Sequence, residues 1–101
     1  MARFRIENAG PGRVAATGEL DFATAAEALA AGLRLIGTGQ SLTADLAGIT
    51  AGDSAGLAVL VEWLSVARAR GVALRYANVP AQILAIARIS DLDELLLGQG
   101  A

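Results

Sequence analysis

The chain has 101 residues, the size at which a single core is common and too small for two. Hydrophobic residues make up 54% of it and charged residues only 18%, so part of the apolar surface is expected to meet a partner. The formal charge is −2 and the eight basic residues are all arginines, scattered without a run, which leaves nucleic-acid binding without its electrostatic source. Cysteine and histidine are both missing, which removes the usual zinc ligands, thiol nucleophiles and the base of a hydrolase triad. No catalytic residue, metal site or cofactor is therefore expected. The start, Met1 to Arg5, has no apolar signal core, and no glycine-free apolar run is longer than that of Leu57–Val61. That is far short of the ~20 residues of a membrane span, and a soluble, cytoplasmic protein is expected.

In chain order, Arg3–Glu7 alternates with period two, 8–12 is rich in turn formers, and Arg13–Gly18 returns as a second strand, so the chain opens with a β-hairpin. Asp21 can cap a helix whose face carries Phe22, Ala26, Leu29, Leu33 and Ile36, ended by Gly37-Thr38-Gly39. Ser41–Leu46 reads as a third strand, and a turn through Gly52 leads to Asp53 and Ser54, either of which can cap a second helix reaching about Arg70. Gly71 suits the left-handed position after it, and Val72–Tyr76 is a fourth strand. Pro80 opens a third helix with Ile83, Leu84, Ile86 and Ala87, and Ser90 and Asp93 offer caps for a last helix ending near Leu97. The crossovers between the later strands are long enough for parallel pairing. The expected fold is α/β: a mixed sheet of about four strands with helices mainly on one face, in one domain over residues 1–97 with a flexible tail at 98–101.

Ser54 stands where a turn enters a helix, a place that suits a capping hydroxyl and also tolerates a phosphate. Asp53 shares the capping reading. In the helix that follows, Leu57, Leu60, Val61, Trp63, Leu64 and Ala67 fall on the arc expected to face the core. The opposite arc presents Ala55, Ala58, Val59, Glu62, Val66 and Ala69, a small and apolar face around one carboxylate, which fits a protein interface better than a solvated surface. Glu19 and Asp21 lack a neighbouring base or metal-ligand cluster and read as turn and cap residues. Trp63 is expected in the core with its indole N–H near the surface, and Tyr76 at a strand end. Gly37-Thr38-Gly39 has neither the spacing nor the lysine of a phosphate-binding loop.

Gly18-Glu19-Leu20-Asp21 followed by Thr24-Ala25, then Asp45-Leu46 and Asp53-Ser54-Ala55-Gly56-Leu57, resemble in order and spacing the signature of the STAS family, named for sulphate transporters and anti-sigma-factor antagonists. The resemblance runs over nearly the whole chain and implies a small mixed sheet with helices on one side. In the anti-sigma-factor antagonists the serine after the aspartate is the phosphoacceptor, and Ser54 matches it. That branch usually carries a second Ser or Thr next, whereas this chain has Ala55. The stretch Asp53 to Leu64 looks more like the MlaB branch, the cytoplasmic subunit of the Mla phospholipid ABC transporter. The resemblance implies a non-enzymatic subunit docked on the transporter ATPase through Asp53, Ser54, Ala55, Ala58, Val59, Glu62 and Val66. It would sit at the inner membrane through its partner, without inserting. The other implied function is an anti-sigma-factor antagonist, with Ser54 as the switch and an anti-sigma-factor kinase as partner.

Overall fold

In the computed structural model, which describes residues 3–98, strand β1 (Arg5–Asn8) pairs antiparallel with β2 (Arg13–Leu20), with Ile6 opposite Ala16. Alternation decides the faces of β2: Val14, Ala16, Gly18 and Leu20 are buried, while Arg13 and Thr17 are exposed. Helix α1 (Ala25–Leu35) carries the chain across to β3 (Ser41–Gly52), which runs parallel to β2 with Val14 opposite Ala44 and Leu20 opposite Gly52. Helix α2 (Ser54–Ala69) crosses again to β4 (Ala73–Ala77), parallel to β3, and α3 (Ala81–Ile89) and α4 (Asp93–Leu97) follow. The sheet order is β1-β2-β3-β4. As expected, the helices cover one face: α1 lies against β1 and β2, α2 against β3 and β4, and α4 against β4. The other face, with Arg5, Thr17, Ser41 and Arg75, is open.

Trp63 fills the space between α1 and α2. Its ring lies where a Cβ on Gly32 would have to be, its centroid is 6.0 Å from that of Phe4, and its indole N–H donates to the Leu29 carbonyl at 3.3 Å. Gly32 thus lets the two helices close on an aromatic ring. Arg70, just past α2, donates to the carbonyls of Leu33 and Ile36 at 3.1 and 2.8 Å, closing the end of α1.

Several sequence expectations are corrected. The third strand does not stop at Leu46. It continues to Gly52 because Thr17, Gly18, Glu19 and Leu20 of β2 offer partners to Gly48, Ile49, Ala51 and Gly52, with two register shifts that give β3 more residues than β2 over the same length. Asp21 does not cap α1, which begins only at Ala25, after Thr24. Phe22 and Ala26 are exposed, and the inward face turns instead to Ala28 and Gly32, because the Trp63 ring sits there. Ser90 ends α3 and caps nothing after it, while α4 starts from Leu92, with Asp93 in its first turn. Of the expected tail, Gly98 closes α4, and residues 99–101 lie outside the described ones.

Candidate functional site

Two strand-to-helix junctions meet at one end of the sheet, because β2 and β3 are parallel and finish side by side at Leu20 and Gly52. In the first junction the Asp21 carboxylate accepts from the backbone N–H of Ala23 and Thr24 at 3.0 and 3.2 Å. The buried Thr24 hydroxyl donates to the Glu19 carbonyl at 2.9 Å and accepts from the Asp21 N–H at 3.0 Å. Asp21 is thus a turn residue as expected, whereas Glu19 is still in β2 and meets the turn only through its carbonyl, and the turn holds Phe22 at its outer edge, 85% exposed.

In the second junction Asp53 is the helix cap: its Oδ1 accepts from the N–H of Ala55 and Gly56 at 2.9 and 3.1 Å. Its Oδ2 accepts the Phe22 N–H at 3.1 Å, so one carboxylate ties both junctions together. Gly56 presses on the carbonyl of Leu20, where a Cβ would collide with backbone. Leu57 is buried, and the Gly52 N–H donates to Gln82 Oε1 at 3.0 Å. Ser54 differs from all of these. It is the first residue inside α2, it is exposed, and its hydroxyl has no hydrogen-bond partner among the described residues. The choice left open by the sequence is settled for Asp53, which stands at the cap position in extended conformation, while Ser54 is already inside the helix and is left unused by the fold.

The faces of α2 are turned by about 50° from the expected ones at 100° per residue. Gly56, Leu57, Val59, Leu60, Trp63 and Ala67 are buried, while Val61 and Leu64 are only half-buried. Val59, expected on the docking arc, is a core residue. The cause is Gly56, which must face the Leu20 carbonyl and so fixes the rotation of the whole helix. Ser54, Ala58, Glu62 and Ala69 are exposed, with Ala55 and Val66 half-buried at the margin. Ser65, which the sequence reading missed, is exposed on the same stripe. Its spacing from Ser54 and Ala58, eleven and seven residues, is the helical signal that finds it.

Two titratable groups are shifted, neither on this surface. Asp45 is held below the usual carboxylate range by the Asn78 amide, which donates to it at 2.9 Å, and by the Ala47 N–H, with Arg13 at 3.8 Å adding to both. Burial pushes the Tyr76 hydroxyl well above its usual range, and it donates to the Leu60 carbonyl at 2.6 Å, strapping β4 to the middle of α2. An open groove of about 600 Å³ lined by Leu64, Arg68, Leu74 and Leu95 lies at the far end of α2, roughly 20 Å from Ser54 along the helix. Among the described residues no three His, Cys, Asp or Glu side chains are grouped as metal ligands, and no helix is long and apolar enough to cross a membrane.

In Asp53–Leu57, then, Asp53 caps, Gly56 admits a neighbouring carbonyl and Leu57 enters the core, while Ser54 stays free. The family model described as "Mlab, STAS domain" matches residues 5–98. This chain belongs to the MlaB-type STAS family. No curated protein matches the sequence. Among solved structures, this STAS domain is similar to the murine Solute Carrier 26 family member A9 (Slc26a9) anion transporter in the inward-facing state. The TM-score is 0.64 at 22% identity, and the match covers 81% of this chain and 14% of the transporter. The likeness is one of fold, and the chain spans only a small part of the transporter's length.

Proposed function

We propose that this STAS domain is a non-enzymatic subunit that docks on, and supports, the cytoplasmic ATPase of a phospholipid-transporting ABC system of the Mla type. The observation that carries the reading is the division of labour in Asp53–Leu57: Asp53, Gly56 and Leu57 serve the fold, and Ser54 alone is exposed with its hydroxyl unengaged. Small Ala55 and Ala58 beside it let another backbone come close, and Glu62 gives the stripe one charged contact. The family described as Mlab supports the choice of partner. A dimeric ATPase offers two equivalent surfaces, so two copies per transporter follow from symmetry. The domain then lies at the inner membrane through its partner.

A second reading has its own observation: an exposed hydroxyl at the N-terminus of a 16-residue helix is open to a kinase and favourable for a phosphate. There the chain is an anti-sigma-factor antagonist released from an anti-sigma kinase by phosphorylation of Ser54. Substitutions at Ser54 separate the two. For a docking subunit, binding of the purified ATPase survives Ser54→Thr and weakens in Ser54→Asp, and the protein recovered from cells carries no phosphate. For a phosphoswitch, Ser54→Ala stays bound to the anti-sigma kinase, Ser54→Asp is released, and kinase with ATP adds one phosphate by mass. Stoichiometric phosphorylation at Ser54 overturns the docking reading.

A further inference from the structure

The docking stripe on α2 is flat and small, and small residues alone rarely supply the anchor that dominates an interface. Beside it stands an aromatic side chain that the fold does not use. Phe22 is 85% exposed, yet its backbone is fixed: its N–H donates to Asp53 Oδ2, and the turn around it is closed by Asp21 and Thr24. The carboxylate that holds Phe22 is the same one that caps the helix carrying Ser54 and Ala58. The other strongly exposed large apolar residue, Ile89, ends α3 and has no such tie. An aromatic ring displayed from a turn already locked in place loses little freedom on binding.

The charges around Phe22 define what covers it. Glu19, Asp21 and Asp53 surround the junction, and none is in an ion pair among the described residues, where Arg3, Arg5 and Arg13 pair with Glu27, Glu7 and Asp45 instead. An anionic lipid surface is repelled by such a rim, whereas a protein pocket bordered by Lys or Arg is attracted.

Resting on the docking reading above, we infer that Phe22 is the anchor of that interface and enters an apolar, basic-rimmed pocket on the ATPase subunit, next to the contact made by Ser54 and Ala58. The test uses the full chain and the purified ATPase subunit of the host's own phospholipid-transport system, with affinity read by calorimetry at two salt concentrations. Phe22→Ala is expected to keep the wild-type unfolding midpoint, since the ring is exposed, and to lose about 30-fold in affinity. Phe22→Tyr is expected to restore most of it, and added salt to weaken the wild-type complex. A photoreactive phenylalanine at position 22 is expected to crosslink to an ATPase segment containing Lys or Arg. If wild type binds, Ala58→Arg does not, and Phe22→Ala binds as wild type, the docking reading stands and the anchor is overturned. If wild type does not bind the ATPase, the docking reading fails and the anchor falls with it. If Phe22 instead drives binding to vesicles of phosphatidylethanolamine and phosphatidylglycerol without the ATPase, the contact is with membrane and the protein pocket is overturned.

Discussion

The two faces of α2 follow different rules. The inner face is a jigsaw: Leu60, Trp63 and Ala67 are almost wholly buried, Gly56 touches the end of β2, and the Tyr76 hydroxyl reaches the Leu60 carbonyl. The outer face, Ser54, Ala58, Glu62, Ser65 and Ala69, takes no hydrogen bond or ion pair from the rest of the domain among the described residues. Side chains on the inner face are chosen by the fold, and those on the outer face are free to be chosen by something else. That difference is what makes the outer face informative about function.

Substitutions on the two faces test the contrast. Trp63→Ala, which leaves a void over Gly32 and beside Phe4, is expected to lower stability by about 3 to 5 kcal/mol in chemical denaturation. Leu60→Ala is expected to cost about 2 to 5 kcal/mol, and a loss under roughly half a kcal/mol would place Leu60 outside the core. At the junction, Asp53→Ala frees two N–H groups of α2 and releases Phe22, with an expected loss of about 1 to 2 kcal/mol that Asn in its place largely avoids. The smallest effects belong outside. Ser54→Ala and Ala58→Arg are both expected to stay within about 0.5 kcal/mol of wild type, while under the proposed docking Ala58→Arg is expected to abolish capture of the ATPase. A Ser54→Ala loss near that of Asp53→Ala would mean that the serine caps the helix after all.

Tyr76 gives a pH test of the inner face. Burial keeps its phenol protonated in the folded chain above the range where the unfolded chain releases it. The folded state then binds more protons, so stability is complete below about pH 10 and falls as pH rises beyond it. The chain has one tyrosine, no cysteine and no lysine, so no other side chain titrates there. Tyr76→Phe is expected to remove the alkaline decline that begins near about pH 10, as measured by urea midpoints.

Much of the architecture is legible in the residues. The period-two runs, the helix spacing and the turn formers give the order of elements and the mixed sheet, because alternation and helical periodicity are local patterns. What is illegible depends on distant neighbours. Ala47–Gly52 has weak strand character and becomes β3 only because β2 supplies a partner along it. Val59 and Val61 are the same residue type two positions apart, and only the contact of Gly56 with Leu20 decides which is buried. Asp53 and Ser54 are equally good caps on paper, and Phe22 reads as core until Trp63 is seen to occupy the inward side of α1. The signature around Ser54 was readable, and the division of roles inside it was not.

The parallel pairing of β2 with β3 also ties the surface to the folding reaction. Phe22 and Ser54 come together only when Leu20 meets Gly52, which requires closing a loop of about thirty residues at an entropic cost of roughly 3 kcal/mol. An unfolded chain therefore presents no partial version of the site, and a partner binds the native state alone. By mass action, a partner at about a hundred times its dissociation constant adds about 2.7 kcal/mol to the stability of the domain. If the domain docks as proposed, its lifetime in the cell follows the supply of that partner, and copies made in excess are the ones left exposed to proteolysis.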